Sequence, residues 1–183
     1  MRYLILLLVL ALVGCSTMPN NVTRTVSSFD GTVEYVMQPG VIFHDEGAFS
    51  SGTFKLGLFW NSNMGESVQI IANVPMQVVN IHGLQISIDG EIVRLRSGAI
   101  FTDTDITPTQ YMTFTESEKT FTADLDLIRR MLESESVMVR LDISGGYLEG
   151  DFKIAKPSAA VHGFPRALEA IESEMATIAR SDG

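Results

Sequence analysis

Residues 84–96 read Leu-Gln-Ile-Ser-Ile-Asp-Gly-Glu-Ile-Val-Arg-Leu-Arg, two alternating runs joined by Asp89-Gly90. Alternation of period two places Leu84, Ile86 and Ile88 on one face and Gln85 and Ser87 on the other. Asp-Gly supplies the two positive-φ residues that a two-residue hairpin turn demands. A chain carrying this signal builds antiparallel sheet, and most of its other segments follow the same period.

Thr32 to Met37 predicts a strand closed by a turn at Gln38-Pro39-Gly40, with Val41 to Phe43 as a further short strand. Thr53 to Trp60 alternates, with Phe54, Leu56, Leu58 and Trp60 on one side. Ser67 to Val74 is apolar and β-branched, and Pro75 weakens its continuation. Gln110 to Thr115 and Lys119 to Ala123 predict a second hairpin around Glu116-Ser117-Glu118.

The period then changes. Residues 124–133 predict a short helix capped by Asp124, with Asp126 at its positive end and Leu125, Ile128, Met131 and Leu132 as its buried stripe. Val137 to Ile143 and Tyr147 to Ala155 pair through Gly145-Gly146. Pro165 to Ala179 predicts a last helix, with Phe164, Leu168, Ile171, Met175 and Ile178 turned to the sheet. The fold class that follows is α+β, mainly β: an antiparallel sheet or sandwich with one or two helices packed against it. At 183 residues one domain, 31–183, is enough.

Thirteen Lys and Arg face 22 Asp and Glu, a net charge of −9. That balance offers no phosphate-neutralising face, so nucleic acid is not an expected partner. It equally disfavours a polybasic grip on anionic lipid.

The N-terminus carries a different kind of information. Arg2 precedes ten unbroken apolar residues, 4–13, which end at Gly14-Cys15. Ten helical residues reach about 15 Å, half of what a bilayer core requires, so the run is too short for a permanent span. It has the order of a signal peptide, residues 1–14. Leu12-Val13-Gly14-Cys15 resembles the lipobox of bacterial lipoproteins. The resemblance implies cleavage before Cys15, lipid on its sulfur and a third acyl chain on the new N-terminus. It also implies that Ser16, where Asp often marks inner-membrane retention, reads as an outer-membrane address. Two or more chains anchor stably. Cys15 is the only cysteine, so no thiol then remains for a disulfide or a Cys-based metal site. Removal of residues 1–14 takes one Arg and no acid, so 12 basic groups face 22 acidic ones, a net charge of −10. Residues 15–30 form the lipidated Cys and tether; alternatively, Val22 to Val26 adds an edge strand to the sheet.

Catalytic signatures are few. HExxH, GxSxG, GxGxxG and the phosphate-binding loop are missing from the sequence. His44-Asp45-Glu46, with His82 and His162, offers imidazoles and carboxylates to a metal, but the spacing carries no ligand signature. Asp103-Thr104-Asp105 offers alternate carboxylates of the kind calcium prefers. An EF-hand count from Asp103 fails, because Pro108 falls where Gly is needed and Phe114 where Glu is needed. Glu116, Glu118, Asp124, Asp126, Glu133 and Glu135 supply carboxylates for glycoside cleavage, although Asp124 and Asp126 already serve the helix start. Phe54 and Trp60 are candidates to line an apolar ligand pocket, against a plain core role.

The expectation is a lipid-anchored, periplasm-facing binding or structural module of the bacterial envelope, without catalysis or cofactor. It meets the membrane through its N-terminal lipid and engages another envelope protein. The alternatives are a carrier of a small apolar ligand such as a lipid, or a hydrolase.

Overall fold

The computed structural model describes residues 21–43, 53–97, 102–108 and 113–181. Its strands are β1 (Val22–Val26), β2 (Val33–Ile42), β3 (Phe54–Asn61), β4 (Ser67–Pro75), β5 (Ile81–Ile88), β6 (Glu91–Ser97), β7 (Asp103–Pro108), β8 (Thr113–Asp124), β9 (Val137–Ile143) and β10 (Gly146–Asp151). The helices are α1 (Leu125–Glu133) and α2 (Phe164–Ser181), the second preceded by a single 3-10 turn, Ala160–His162.

All ten strands belong to one sheet, in the order β1-β2-β3-β4-β8-β6-β5-β9-β10, with β7 paired to β8 off that path. Every ladder is antiparallel. The sheet curls into a half-barrel with two helices packed against it. β10, the strand at one end of the sheet, reaches the end of β2: the Asp151 amide donates to the Phe43 carbonyl just past β2, at 2.7 Å. The α+β, mainly β class expected from the sequence is the one observed.

The Asp89-Gly90 hairpin forms as expected, with φ of 48° and 92° at the two turn residues and Ile88 opposite Glu91. Phe54, Leu56, Leu58 and Trp60 all face the core. The last helix buries Phe164, Ala167 and Ile171, with Leu168, Met175 and Ile178 packed partly against the same cluster.

Other segments depart from the expectation. Gln38-Pro39-Gly40 is not a turn. β2 runs through it, and the register against β3 shifts between Met37 and Gly40. Pro cannot donate to a ladder, so the strand bulges around it rather than ending. Gly57 on β3 makes room for the bulge: a Cβ there would lie 2.7 Å from the Met37 carbonyl oxygen and 3.0 Å from Pro39.

Glu116-Ser117-Glu118 is not a turn either. These residues sit inside β8, a strand of 12 residues. Ser117 is buried, accepts from the Val79 amide and donates to the Gln77 carbonyl, both at 3.0 Å. The two glutamates point to the other face. This half of β8 pairs with β4 on one side and with Asp103–Pro108 on the other.

Val22–Val26 pairs with β2 as an edge strand, so the sheet begins inside the stretch read as tether. Asp124 occupies the N-cap position of α1, but its side chain makes no capping bond. The first helical amide, at Leu125, is instead tied to the Glu66 carbonyl at 2.8 Å.

Candidate functional site

The register of three strands builds an acidic cleft. Across β4, β8 and β7, Asn73 stands opposite Glu118, and Glu118 opposite Asp103. One step along, Glu116 stands opposite Asp105. Directly opposed residues share a sheet face, so all four carboxylates emerge on the same side. Together with Asn73 and Thr104 they line a cleft of about 360 Å³.

Like charges placed directly across a ladder repel. Elsewhere acidic side chains are neutralised: Glu174 by Arg24, Glu66 and Glu172 by Arg129, Glu91 by Arg130, and Glu149 by Arg140. None of these pairs involves a cleft carboxylate, and among the described residues no cationic side chain lines the cleft. Asn73 supplies the local donor. Its Nδ2 reaches Glu116 Oε2 at 3.1 Å and Glu118 Oε2 at 3.5 Å.

Two features show strain in this arrangement. The carboxyl of Glu118 titrates above its ordinary range, chiefly because it is buried; the Asn73 bond opposes the rise, and the Glu116 and Asp103 charges add to it. Asn73 is only 4% exposed, and its Oδ1 is buried with no donor among the described residues. A buried acceptor without a partner loses its hydration and gains nothing in return.

Of the residues singled out in the sequence, Asp103 and Asp105 are brought together with Glu116, Glu118 and Asn73. Asp124, Asp126, Glu133 and Glu135 are not part of the cleft lining. His82 is exposed on β5, and His162 is exposed at the end of the 3-10 turn. Among the described residues no three His, Cys, Asp or Glu side chains are disposed to hold a metal ion. His44, Asp45 and Glu46 lie outside the described residues, as do Cys15 and Ser16.

Phe54 and Trp60 are fully buried in the core. The Trp60 indole N–H donates to the Gly65 carbonyl at 2.8 Å, and its ring packs beside Tyr35 at 6.1 Å between centroids. Among the described residues no helix is long and apolar enough to cross a membrane.

Asn73 is the member of the site that sequence reading missed. It sits in the middle of a β-branched run, where a buried amide on a strand is the signal that a polar contact lies across the ladder. The chain matches no family model, and no match was found to a curated protein or to a solved structure.

Proposed function

We propose that this chain is a lipid-anchored, periplasm-facing module of the bacterial cell envelope, one that binds or scaffolds rather than catalyses. The observation that carries the reading is Leu12-Val13-Gly14-Cys15 at the end of ten apolar residues. The start of the sheet at Val22 supports a close mooring. Six residues, 16–21, separate Cys15 from Val22, and even at full extension they reach only about 20 Å. The body is then held within that distance of the bilayer. Its net charge of −10 keeps it from lying flat on anionic headgroups. Another envelope protein is the partner of this reading, met through a free sheet edge such as that of β1.

The test is metabolic labelling with palmitate in growing bacteria. Wild-type chain incorporates label and fractionates with the outer membrane, whereas Cys15→Ser incorporates none and is released. Absence of label from the wild type, or unchanged fractionation of Cys15→Ser, overturns the anchor. Crosslinking in intact cells tests the partner, and recovery of no envelope protein overturns that half of the proposal.

A further inference from the structure

We propose that one end of the sheet, carrying Met76, Val78 and Ile106, enters the headgroup layer of the bilayer to which Cys15 is anchored. The proposal rests on that anchor and adds the face that the body turns to the lipid.

The ladders fix which elements share an end. All are antiparallel, so the start of β1, the end of β2, the end of β4, the start of β8 and the end of β7 lie together. β4 stops at Pro75, and the chain turns at Met76. The Met76 amide donates to the Thr115 carbonyl at 2.6 Å, and Ile106 pairs with Thr115 from the other side. Met76, Val78 and Ile106 are 70%, 63% and 58% exposed. Met76 also holds a φ of 59°, a conformation that suits glycine. A large apolar side chain there gives the fold neither burial nor an easy turn, which points to a contact outside the chain.

The tether decides what that contact is. The Gln38 amide donates to the Asn21 carbonyl at 3.0 Å, so the chain enters β1 from this same end. Val22 is level with Met37, Leu58 and Ile70 across the sheet. Met76 lies six residues beyond Ile70, roughly 20 Å along the strand direction. The six residues between Cys15 and Val22 reach the same distance, about 20 Å, so an extended tether brings Cys15 level with Met76. Phe29, 98% exposed, marks the opposite end. To bring that end to the bilayer the tether would have to double back along all five residues of β1, roughly 16 Å, and then clear the turn at 27–31.

Asp105 and Glu116 lie one residue further in than Ile106 and Thr115, on the other face of the sheet. Anionic headgroups repel these carboxylates, so the surface that fits is zwitterionic. Three apolar side chains hold a bilayer weakly by themselves; the lipid on Cys15 supplies the local concentration that seats them.

The lipidated full-length chain is reconstituted in phosphatidylcholine vesicles. With Cys15 lipidated, the new thiol of Val78→Cys, Ile106→Cys or Phe29→Cys is the only one open to an environment-sensitive fluorophore. The three positions are exposed, and circular dichroism checks the fold of each variant. The mass of the chain reads the lipid on Cys15 separately, and a chain without it overturns the anchor and this proposal together. Expected on the lipidated chain are labels at 78 and 106 that shift to shorter wavelength and lose at least half of their emission to a phospholipid-borne nitroxide. The label at 29 stays open to aqueous iodide. With the anchor intact, the proposal is overturned if the label at 78 or at 106 remains in water, or if the label at 29 is the one quenched from the lipid. It is equally overturned if shielding at 78 and 106 vanishes as the protein is diluted in the vesicles, because a second copy then covers them.

Discussion

The Tyr35 hydroxyl donates to Glu174 Oε2 at 2.9 Å, and Arg24 grips the same carboxylate through Nε and Nη2 at 3.0 and 3.1 Å. One carboxylate on the last helix thus holds the first strand and its neighbour. β1 is an edge strand with a mostly exposed face, and among the described residues its ladder is the one with β2. The Glu174 clasp adds a side-chain fastening at the point where the N-terminal segment enters the sheet. Tyr35→Phe removes one hydrogen bond to a charged group and is expected to cost about 1.5 kcal/mol in urea unfolding. Amide exchange in residues 22–26 rises in the same variant. Unchanged exchange there would show that the clasp does not hold β1.

The clasp also has a pH signature. The Arg24 hydrogen bond, helped by that of Tyr35, holds the Glu174 carboxyl below its ordinary 4.5, against the opposing effect of burial. A carboxylate whose folded value is depressed stabilises the fold fully above its unfolded value. It loses that stabilisation as pH falls through the folded one. Glu174→Gln is therefore less stable than wild type at pH 7, and the gap begins to close as pH falls through 4.5. Chemical unfolding at several pH values measures it. A gap that persists undiminished to the lowest pH at which the protein folds would rule out the ionised clasp.

Glu118 has the opposite sign. Burial raises its folded value above 4.5, so the ionised carboxylate destabilises the native state. The penalty is absent below 4.5 and complete above the raised value. Glu118→Gln removes it and should stabilise the chain at pH 7 by a few tenths to about 1 kcal/mol, the scale of one cross-strand repulsion. At pH 4 wild type and variant should unfold alike. A variant less stable than wild type at pH 7 would mean that the charge itself is holding the strands together.

These two carboxylates show where the sequence was legible and where it was not. The Asp89-Gly90 hairpin was readable because its turn, register and facing all lie within 13 residues. The α2 stripe was readable for the same local reason. Pro39-Gly40 was misread because a bulge and a turn use the same residue types, and only the partner strand decides between them. Glu116 to Glu118 was misread because two adjacent polar side chains flanking Ser117 look like a turn until β4 and β7 are laid alongside. The acidic cleft joins Asn73 to residues 30 to 45 positions away, a contact no local period reports. Asp103 and Asp105 stood out as alternate carboxylates, yet their partners are across a ladder and not further along a loop.

The closure of the half-barrel rests on a glycine. A Cβ on Gly150 would lie 2.5 Å from Ile42 Cγ2 and 2.9 Å from the Phe43 carbonyl oxygen, beside the bond that joins β10 to the end of β2. Gly150→Ala must push these backbones apart and is expected to cost at least about 2 kcal/mol. Gly90→Ala meets nothing within 4 Å, but it forces alanine to a φ of 92°. Its cost is conformational strain alone, about 1–2 kcal/mol. Protection of the Asp151 amide from exchange separates the two: lost in Gly150→Ala and kept in Gly90→Ala. Loss in both would indicate that the hairpin and the closure open together.

Trp60 is the chain's single tryptophan, so its fluorescence reports one place. The ring is fully buried and its N–H is committed to the Gly65 carbonyl. Emission from the folded protein should therefore lie at the short wavelengths of a dry environment and move to those of exposed indole on unfolding. Trp60→Phe leaves the Gly65 carbonyl without its donor and a void beside Tyr35, and should cost about 2–4 kcal/mol. The same signal weighs the carrier alternative. A fatty acid or phospholipid added in detergent-free buffer should leave the emission unchanged, because Phe54 and Trp60 are filled core and their faces are already occupied by protein. A saturable shift or quench on adding lipid would show that the core opens to an apolar guest, and the carrier reading would then displace the one proposed.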